Sequence, residues 1–302
     1  MAERESQIVL GLDPDPSALW PALEAGSPPG LGPADRAAAA VVAHCRAVID
    51  ATAQACVAVK LQLARFELFG SAGWAALAAV AEHARGRGLL VIADGKRGDI
   101  DVSARAYAAA LIGGLDSPFG RIEGLGADLV TVNPLMGVDA LEPFVTAARA
   151  AGTGVLVLVR TSNPGAADIE DLRVEGGGAV WERIAAIVER LGAPGVGASG
   201  MSDVGAVVGA TEPAHLARAR ELMASATFLL PGVGAQGGRV EDLAPAFAPS
   251  RAGGLITASR SIVGAHLAGD RGSGGAAPAP AARAAAERLR ESAWALSARA
   301  RA

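Results

Sequence analysis

Eight short, nearly continuous apolar runs are spaced along the chain: IVLG (8–11), VAVK (57–60), LLVIA (89–93), LVTV (129–132), VLVLV (155–159), VGAVV (204–208), TFLL (227–230) and LITA (255–258). A strand with one wet face alternates apolar and polar residues. These runs do not alternate, so they suit strands buried on both faces of a parallel sheet. Between them lie Ala-, Leu- and Arg-rich stretches with helical spacing at 35–54, 72–86, 102–113, 138–150, 177–191 and 213–224, a weaker one at 239–248 and a stronger one at 279–299. Eight strands with eight helical connections predict an α/β fold closed as a (β/α)8 TIM barrel, ahead of an open doubly wound sheet. Only the sixth strand has a competitor, GVGAS at 195–199.

One such barrel uses nearly all of the 302 residues, which predicts a single catalytic domain over 1–302. The segment AGDRGSGGAAPAPAA (268–282) reads as a flexible Gly/Pro/Ala-rich loop before the C-terminal helix, an insertion within the domain and not a boundary. A net charge of -4 and the lack of a basic run argue against a nucleic-acid polymer as partner, although a small anionic substrate needs only local positive groups. Cys45 and Cys56 lie in apolar surroundings, and His44, His83, His215 and His266 lack metal-ligand spacing, so no metal site is predicted. Acidic residues precede the first apolar run and no apolar stretch is long enough to span a bilayer, which predicts a soluble cytoplasmic protein without a membrane partner.

Of the 27 basic residues only Lys60 and Lys96 are lysines. A GC-rich genome explains why lysine is rare, but not why each survivor closes an apolar run. A compact ammonium there can do what a planar, permanently charged guanidinium cannot.

Barrel enzymes build their sites from loops at the C-terminal ends of the strands, so the polar residues that follow each run are the candidates. They are Asp13, Lys60, the segment Asp94-Gly95-Lys96-Arg97-Gly98-Asp99, Asn133, Thr161-Ser162-Asn163, and Ser259-Arg260. DGKRGD sets Lys96 between two carboxylates. A surface salt-bridge turn is the bland alternative, but the position at a strand end beside Lys60 favours a functional cluster. Neighbouring carboxylates favour the charged form of Lys96, which suits a proton donor better than a Schiff-base amine. PGVGAQGG (231–238) and Arg260 follow the last two runs, where barrels commonly hold phosphate on backbone N–H groups and an arginine fork. Asp13 could be a turn residue and Thr161-Ser162-Asn163 mere turn chemistry before Pro164-Gly165. Their strand-end placement favours contacts to a substrate hydroxyl and a heterocycle.

With GLDP, VK, DGKRGDI, TVNP, TSNPG, PGVGAQGG and SRSI in this order, the chain resembles the orotidine 5'-phosphate decarboxylases over nearly the whole barrel, most of all the longer bacterial branch. The resemblance implies a lyase that converts orotidine 5'-phosphate to UMP and CO2 in pyrimidine biosynthesis, with no metal or organic cofactor. It implies a catalytic network of Lys60, Asp94, Lys96 and Asp99, with Asp13 on the ribose, Ser162 on the pyrimidine, and Gln236 and Arg260 on the phosphate. Asn133 and Pro231 complete the substrate-facing set. It further implies a homodimer in which Asp99 and Ser103 enter the partner's site. Gly95, often a larger residue in the family, and the insertion before the last helix depart from the pattern.

In mechanism, loss of CO2 from C6 leaves a carbanion with little resonance stabilisation, so a fixed Lys96 ammonium at C6 stabilises it and then protonates it. Asp94 beside the departing carboxylate adds like-charge repulsion in the ground state. Two competing readings share parts of the site: a Mg2+-dependent decarboxylase of a sugar-acid phosphate, by resemblance carrying a carboxylate where this chain has Lys60, and a catalytically silent nucleotide-binding protein.

Overall fold

The computed structural model describes residues 1–21, 30–234, 237–248, 250–267 and 277–299. In chain order β1 (Ile8–Leu12) leads to α1 (Pro33–Thr52), and β2 (Ala58–Gln62) to the short α2 (Leu63–Glu67) and α3 (Ser71–Gly86). Next, β3 (Leu90–Arg97) leads to α4 (Asp101–Ala108), a π turn at Ala109–Gly113 and a hairpin of β4 (Leu115–Ser117) and β5 (Gly120–Ile122). The pairs β6 (Leu129–Val132) with α5 (Val138–Ala151), β7 (Gly154–Arg160) with α6 (Val180–Gly192) and β8 (Val204–Val208) with α7 (Pro213–Leu222) follow. After β9 (Phe228–Leu230) comes a 3-10 helix, Val240–Phe247, and after β10 (Gly254–Ala258) come α8 (Arg260–Val263) and α9 (Pro278–Arg299).

Eight strands form a closed barrel in the order β1-β10-β9-β8-β7-β6-β3-β2, the fold that the apolar runs predict. The sixth barrel strand is Val204–Val208, whereas 195–199 contributes only an isolated bridge from Val196 to Ser202. By its internal contacts the chain divides into two units, Met1–Gly95 with Ala258–Glu291 and Lys96–Thr257 with Ser292–Ala302, and both supply strands to that order.

In the first unit, α1 starts on Pro33 at its first turn with Asp35 nearby, a residue with a preset φ followed by an anion at the positive helix end. Val41, His44, Cys45, Val48, Ile49 and Thr52 then recur at three- and four-residue spacing and are all buried. Arg4 donates from its guanidinium to the carbonyls of Ala53, Cys56, Arg87 and Gly88, so one cation satisfies the chain just after α1 and α3. In the second unit Arg220 plays the matching part. It lies 3.8 Å over the Phe228 ring and donates to the carbonyls of Met223, Ala224, Ala226, Ala246 and Gly253, which lie just before β9 and β10. Burial pushes its pKa down to about 10, and it remains a cation.

Four details differ from the sequence reading. The stretch 102–113 is α4 plus a π turn, and the β4–β5 hairpin beyond it has no counterpart among the apolar runs. The weak candidate at 239–248 is a 3-10 helix, Val240–Phe247, with Pro245 inside it. Of the proposed loop 268–282, residues 268–276 lie outside the described residues, while 278–282 belong to α9. Prolines 278 and 280 fit there because first-turn N–H groups have no intrahelical acceptor. Among the described residues no helix is long and apolar enough to cross a membrane.

His44 on α1 gives this scaffold an acid-sensitive joint. Its Nδ1 accepts the Trp20 N–H at 3.1 Å, the Trp20 indole donates to the Val263 carbonyl at 2.9 Å, and Trp20 meets the His44 and His266 rings edge-on. Burial, and secondarily His266, push the His44 pKa down to about 4. The unfolded chain binds that proton near the ordinary histidine value, so this contribution is complete above about pH 6.5 and is lost as pH falls to about 4, at most roughly 3 kcal/mol. We predict that His44→Asn, which keeps an acceptor at the δ position and does not titrate, shows a smaller fall in unfolding free energy between pH 7 and pH 5 than the parent in urea denaturation. An equal fall would place the acid sensitivity elsewhere.

Candidate active site

The parallel register of β2 and β3 sets Gln62 opposite Asp94, and Lys60 shares a strand face with Gln62 two residues on. Lys60 Nζ lies 2.7 Å from Asp94 Oδ2 and 3.5 Å from Asp13 Oδ1, and Gln62 Nε2 donates to Asp94 Oδ2 at 3.2 Å. Lys60 and Asp94 are 7% and 4% exposed, so this is a buried ion pair. Burial alone would lower the Lys60 pKa, but the charges and hydrogen bonds of Asp94 and Asp13 outweigh it and the pKa is raised: Lys60 is an ammonium. Asp13 is fixed from its other side by Ser259, whose hydroxyl donates to Oδ2 at 2.5 Å. Gly11 makes that contact possible, since a Cβ there would sit 1.9 Å from Ser259 Oγ.

In the second unit Lys96 is an exposed residue with φ 48, in the left-handed region. Neither neighbouring glycine takes a positive φ. A lysine there costs on the order of 1–2 kcal/mol, which the surroundings must impose. The Thr131 hydroxyl accepts the Lys96 N–H at 2.9 Å, and the Asn133 N–H donates to the Arg97 carbonyl at 2.8 Å. Gly98 packs closely here, since a Cβ on it would lie 3.0 Å from the Asn133 carbonyl oxygen and would press that residue back. Asn133 Oδ1 accepts the Leu135 N–H at 3.0 Å. Asp99 is half-buried and accepts the N–H of Ile100 at 2.8 Å, while Ser103 is exposed on α4.

After β7, Ser162 lies against Gly209, where a Cβ would come within 3.0 Å of its own. The turn is braced from behind. Glu170 accepts the Thr161 N–H at 2.8 Å and its hydroxyl at 2.9 Å, and the Arg160 fork donates to both Asp171 oxygens, which holds that carboxyl below its ordinary pKa. After β9, the Pro231 carbonyl accepts the Ala210 N–H at 2.9 Å. Gly232, Gly234 and Gly237 take φ values of 104, 77 and 93, which glycine tolerates without strain. The N–H groups of Gly234, Gly237 and Gly238 are donated within this loop, so fewer of them face outward than its composition suggests. Gln236 lies outside the described residues. Arg260 is exposed in the first turn of α8.

The structure thus brings Asp13, Lys60 and Asp94 together by hydrogen bonds, and seats the Lys96 and Asn133 backbones on each other's strands. The sequence reading missed Gln62 and Thr131 as parts of the site and gave Ser259 no partner. The usable signal was period two: Gln62 lies two residues beyond Lys60, and Thr131 two before Asn133. Among the described residues no three His, Cys, Asp or Glu side chains are grouped to hold a metal ion.

Fold and site define a class: a (β/α)8 barrel that carries a buried lysine–carboxylate pair at its strand ends and a second lysine two residues further along. The chain belongs to the Orotidine 5'-phosphate decarboxylase / HUMPS family, whose sequence profile matches residues 6–270. It is similar to the orotidine 5'-phosphate decarboxylase of Rhodopirellula baltica, at 43% identity over 235 residues, 77% of this chain and 76% of the relative. The Deinococcus radiodurans protein of that name is 46% identical over 216 residues, 71% of this chain and 74% of the relative. Among solved structures, OMP decarboxylase of Leishmania donovani superposes with a TM-score of 0.73 at 33% identity, over 98% of this chain and 96% of that one.

The buried pair makes a direct prediction. Lys60→Met strands the Asp94 carboxylate without its cation and should cost on the order of 3–5 kcal/mol of stability. Adding Asp94→Leu should recover most of that loss, because two apolar groups replace two charges. Chemical denaturation of the single and double variants checks this, and an additive or worse double variant would mean that the pair is not the source of the loss.

Proposed function

We propose that this chain is an enzyme that decarboxylates orotidine 5'-phosphate to UMP and CO2, as one catalytic domain acting in the cytoplasm. Family membership supports the reaction, and the carrying observation is the buried Lys60–Asp94 pair with Lys96 two residues further along the chain. A lysine already bonded to Asp94 stands where a divalent cation would need an open carboxylate, which favours this reading over Mg2+-dependent decarboxylation of a sugar-acid phosphate.

The bond between C6 and the carboxylate carbon breaks, CO2 leaves, and the electron pair stays on C6. The Lys96 ammonium lowers the energy of that charge as it develops and donates a proton to it, and solvent restores the proton on Lys96. Lys60, bonded to Asp94 at 2.7 Å, holds its carboxyl oriented toward the departing carboxylate. Asp13, held by Lys60 and Ser259, takes a ribose hydroxyl. Ser162 and Asn133 face the base, and Pro231, Gln236 and Arg260 form the phosphate end. Binding energy from that end contributes to lowering the barrier at C6, far from the phosphate.

The working unit is a homodimer in which Asp99 and Ser103 complete the partner's site. Exposed apolar side chains on the segments around Asp99 support this: Ile100, Val102, Leu135, Met136 and, on the β4–β5 hairpin, Phe119 at 97% exposure. A cavity of about 780 Å³ between α4, Arg121 of the hairpin and α5 adjoins Ile100. A surface of this character is covered by a partner in soluble proteins, and a second copy of the chain satisfies a two-fold contact.

Absorbance assays of orotidine 5'-phosphate consumption test the chemistry. Lys96→Ala and Lys96→Arg should each lower turnover by at least roughly 10²–10⁴-fold while UMP still binds, because a proton donor at C6 must be compact and correctly placed. Near-normal turnover of Lys96→Arg would remove Lys96 as the donor, and no consumption by the parent protein would remove the reaction itself.

Mixing inactive variants tests the dimer. Lys96→Ala and Asp99→Ala proteins should regain activity once reassembled together, since one site of each heterodimer then joins an intact Lys96 to the partner's intact Asp99. Random reassortment restores roughly a quarter of the wild-type sites. With heterodimers confirmed by native mass spectrometry, absence of rescue would mean that Asp99 serves its own subunit.

A further inference from the structure

We propose that Thr131 is a positioning residue for Lys96: its buried hydroxyl holds the lysine backbone in the left-handed conformation from which the ammonium reaches the reacting carbon. The proposal rests on Lys96 being the proton donor described above. Three observations carry it. Lys96 is the residue of DGKRGD with a positive φ, although glycines lie one before and two after it. Its N–H is donated to a side chain, Thr131 Oγ1 at 2.9 Å, where a neighbouring strand would ordinarily offer a carbonyl. Thr131 is 1% exposed within β6, so this acceptor is fixed by packing.

Two other contacts of the loop do not encode the same information. Asn133 reaches the Arg97 carbonyl through its backbone N–H, which any residue but proline supplies, and Gly98 only leaves room for Asn133. The Thr131 hydroxyl is a side-chain requirement: serine or threonine meets it and isosteric valine does not. Without the acceptor, the Lys96 N–H is satisfied by relaxing φ toward the extended region and a regular strand bond. That rotation swings the lysine Cβ and the ammonium beyond it, and misplacement of a catalytic group by about 1 Å is worth roughly 10²-fold in rate.

The test compares Thr131→Val with Thr131→Ser. Valine should lower kcat for orotidine 5'-phosphate by roughly 10- to 100-fold with little change in KM or in UMP affinity. Serine should restore most of the turnover. In NMR hydrogen exchange, the Lys96 amide should lose protection in the valine variant and keep it in the serine variant. Added to Lys96→Ala, Thr131→Val should cause no further loss of residual turnover, because a group acting through Lys96 has nothing left to position. A purely structural role would lower the melting temperature and leave kcat of the folded enzyme and the amide protection unchanged. Wild-type kcat in Thr131→Val, a serine variant as impaired as valine, or additive loss in the Lys96→Ala background would each overturn the proposal. The separate failure of Lys96 as donor is read from Lys96→Ala alone, which would then turn over normally.

Discussion

The ion pair between Lys60 and Asp94 is the constraint around which the first unit is arranged. Each partner is buried, and neither charge would be tolerated there without the other. Their 2.7 Å contact requires β2 and β3 to keep one register, and its extensions tie in the residues that follow β1 and β10 through Asp13 and Ser259. Two carboxylates are thereby aimed by donors before any substrate arrives. Their orientation is fixed when the chain folds, and the desolvation that the buried pair requires is met at the same time.

Cations are used differently at the two ends of the strands. Arg4 and Arg220 hydrogen-bond to backbone carbonyls, Arg220 also lying over the Phe228 ring, and those carbonyls lie just before β2, β3, β9 and β10. A guanidinium with five donors in a fixed fork can gather several carbonyls from separate loops, which suits a scaffold joint. Lys60 lies instead within β2, the third of its five residues, and Lys96 is next to the last residue of β3. In a chain otherwise committed to arginine, one of the two lysines is kept where a compact charge faces two carboxylates.

The barrel was legible because parallel strands are buried on both faces and therefore read as unbroken apolar runs, down to VGAVV over GVGAS for the sixth strand. Elements without that signature were not. The β4–β5 hairpin is three residues on each side of a turn, five of the six exposed, and its register follows from backbone pairing rather than from an apolar pattern. Pro278 looked like loop composition although a helix accepts proline in its first turn. In the site, Asp13, Lys60, Asp94 and Lys96 stood out because a charged residue closing an apolar run is anomalous. Gln62, Thr131 and Ser259 are neutral and common in strands and turns, so only coordinates reveal that each contacts a charged residue.

The conformation of Lys96 marks the limit of such reading. DGKRGD offers two glycines, and composition would assign any left-handed residue to one of them. The chain does the reverse: Gly98 sits in close contact with Asn133 at a φ that is not positive, and the strained φ falls on the lysine. Glycine at the strained position would relieve the backbone but provide no ammonium. The strain therefore accompanies the functional group itself, and it persists because neighbouring groups on β6 over-determine the loop. The Thr131 hydroxyl of β6 accepts the Lys96 N–H, so the left-handed lysine is held from a strand that carries no charge of its own.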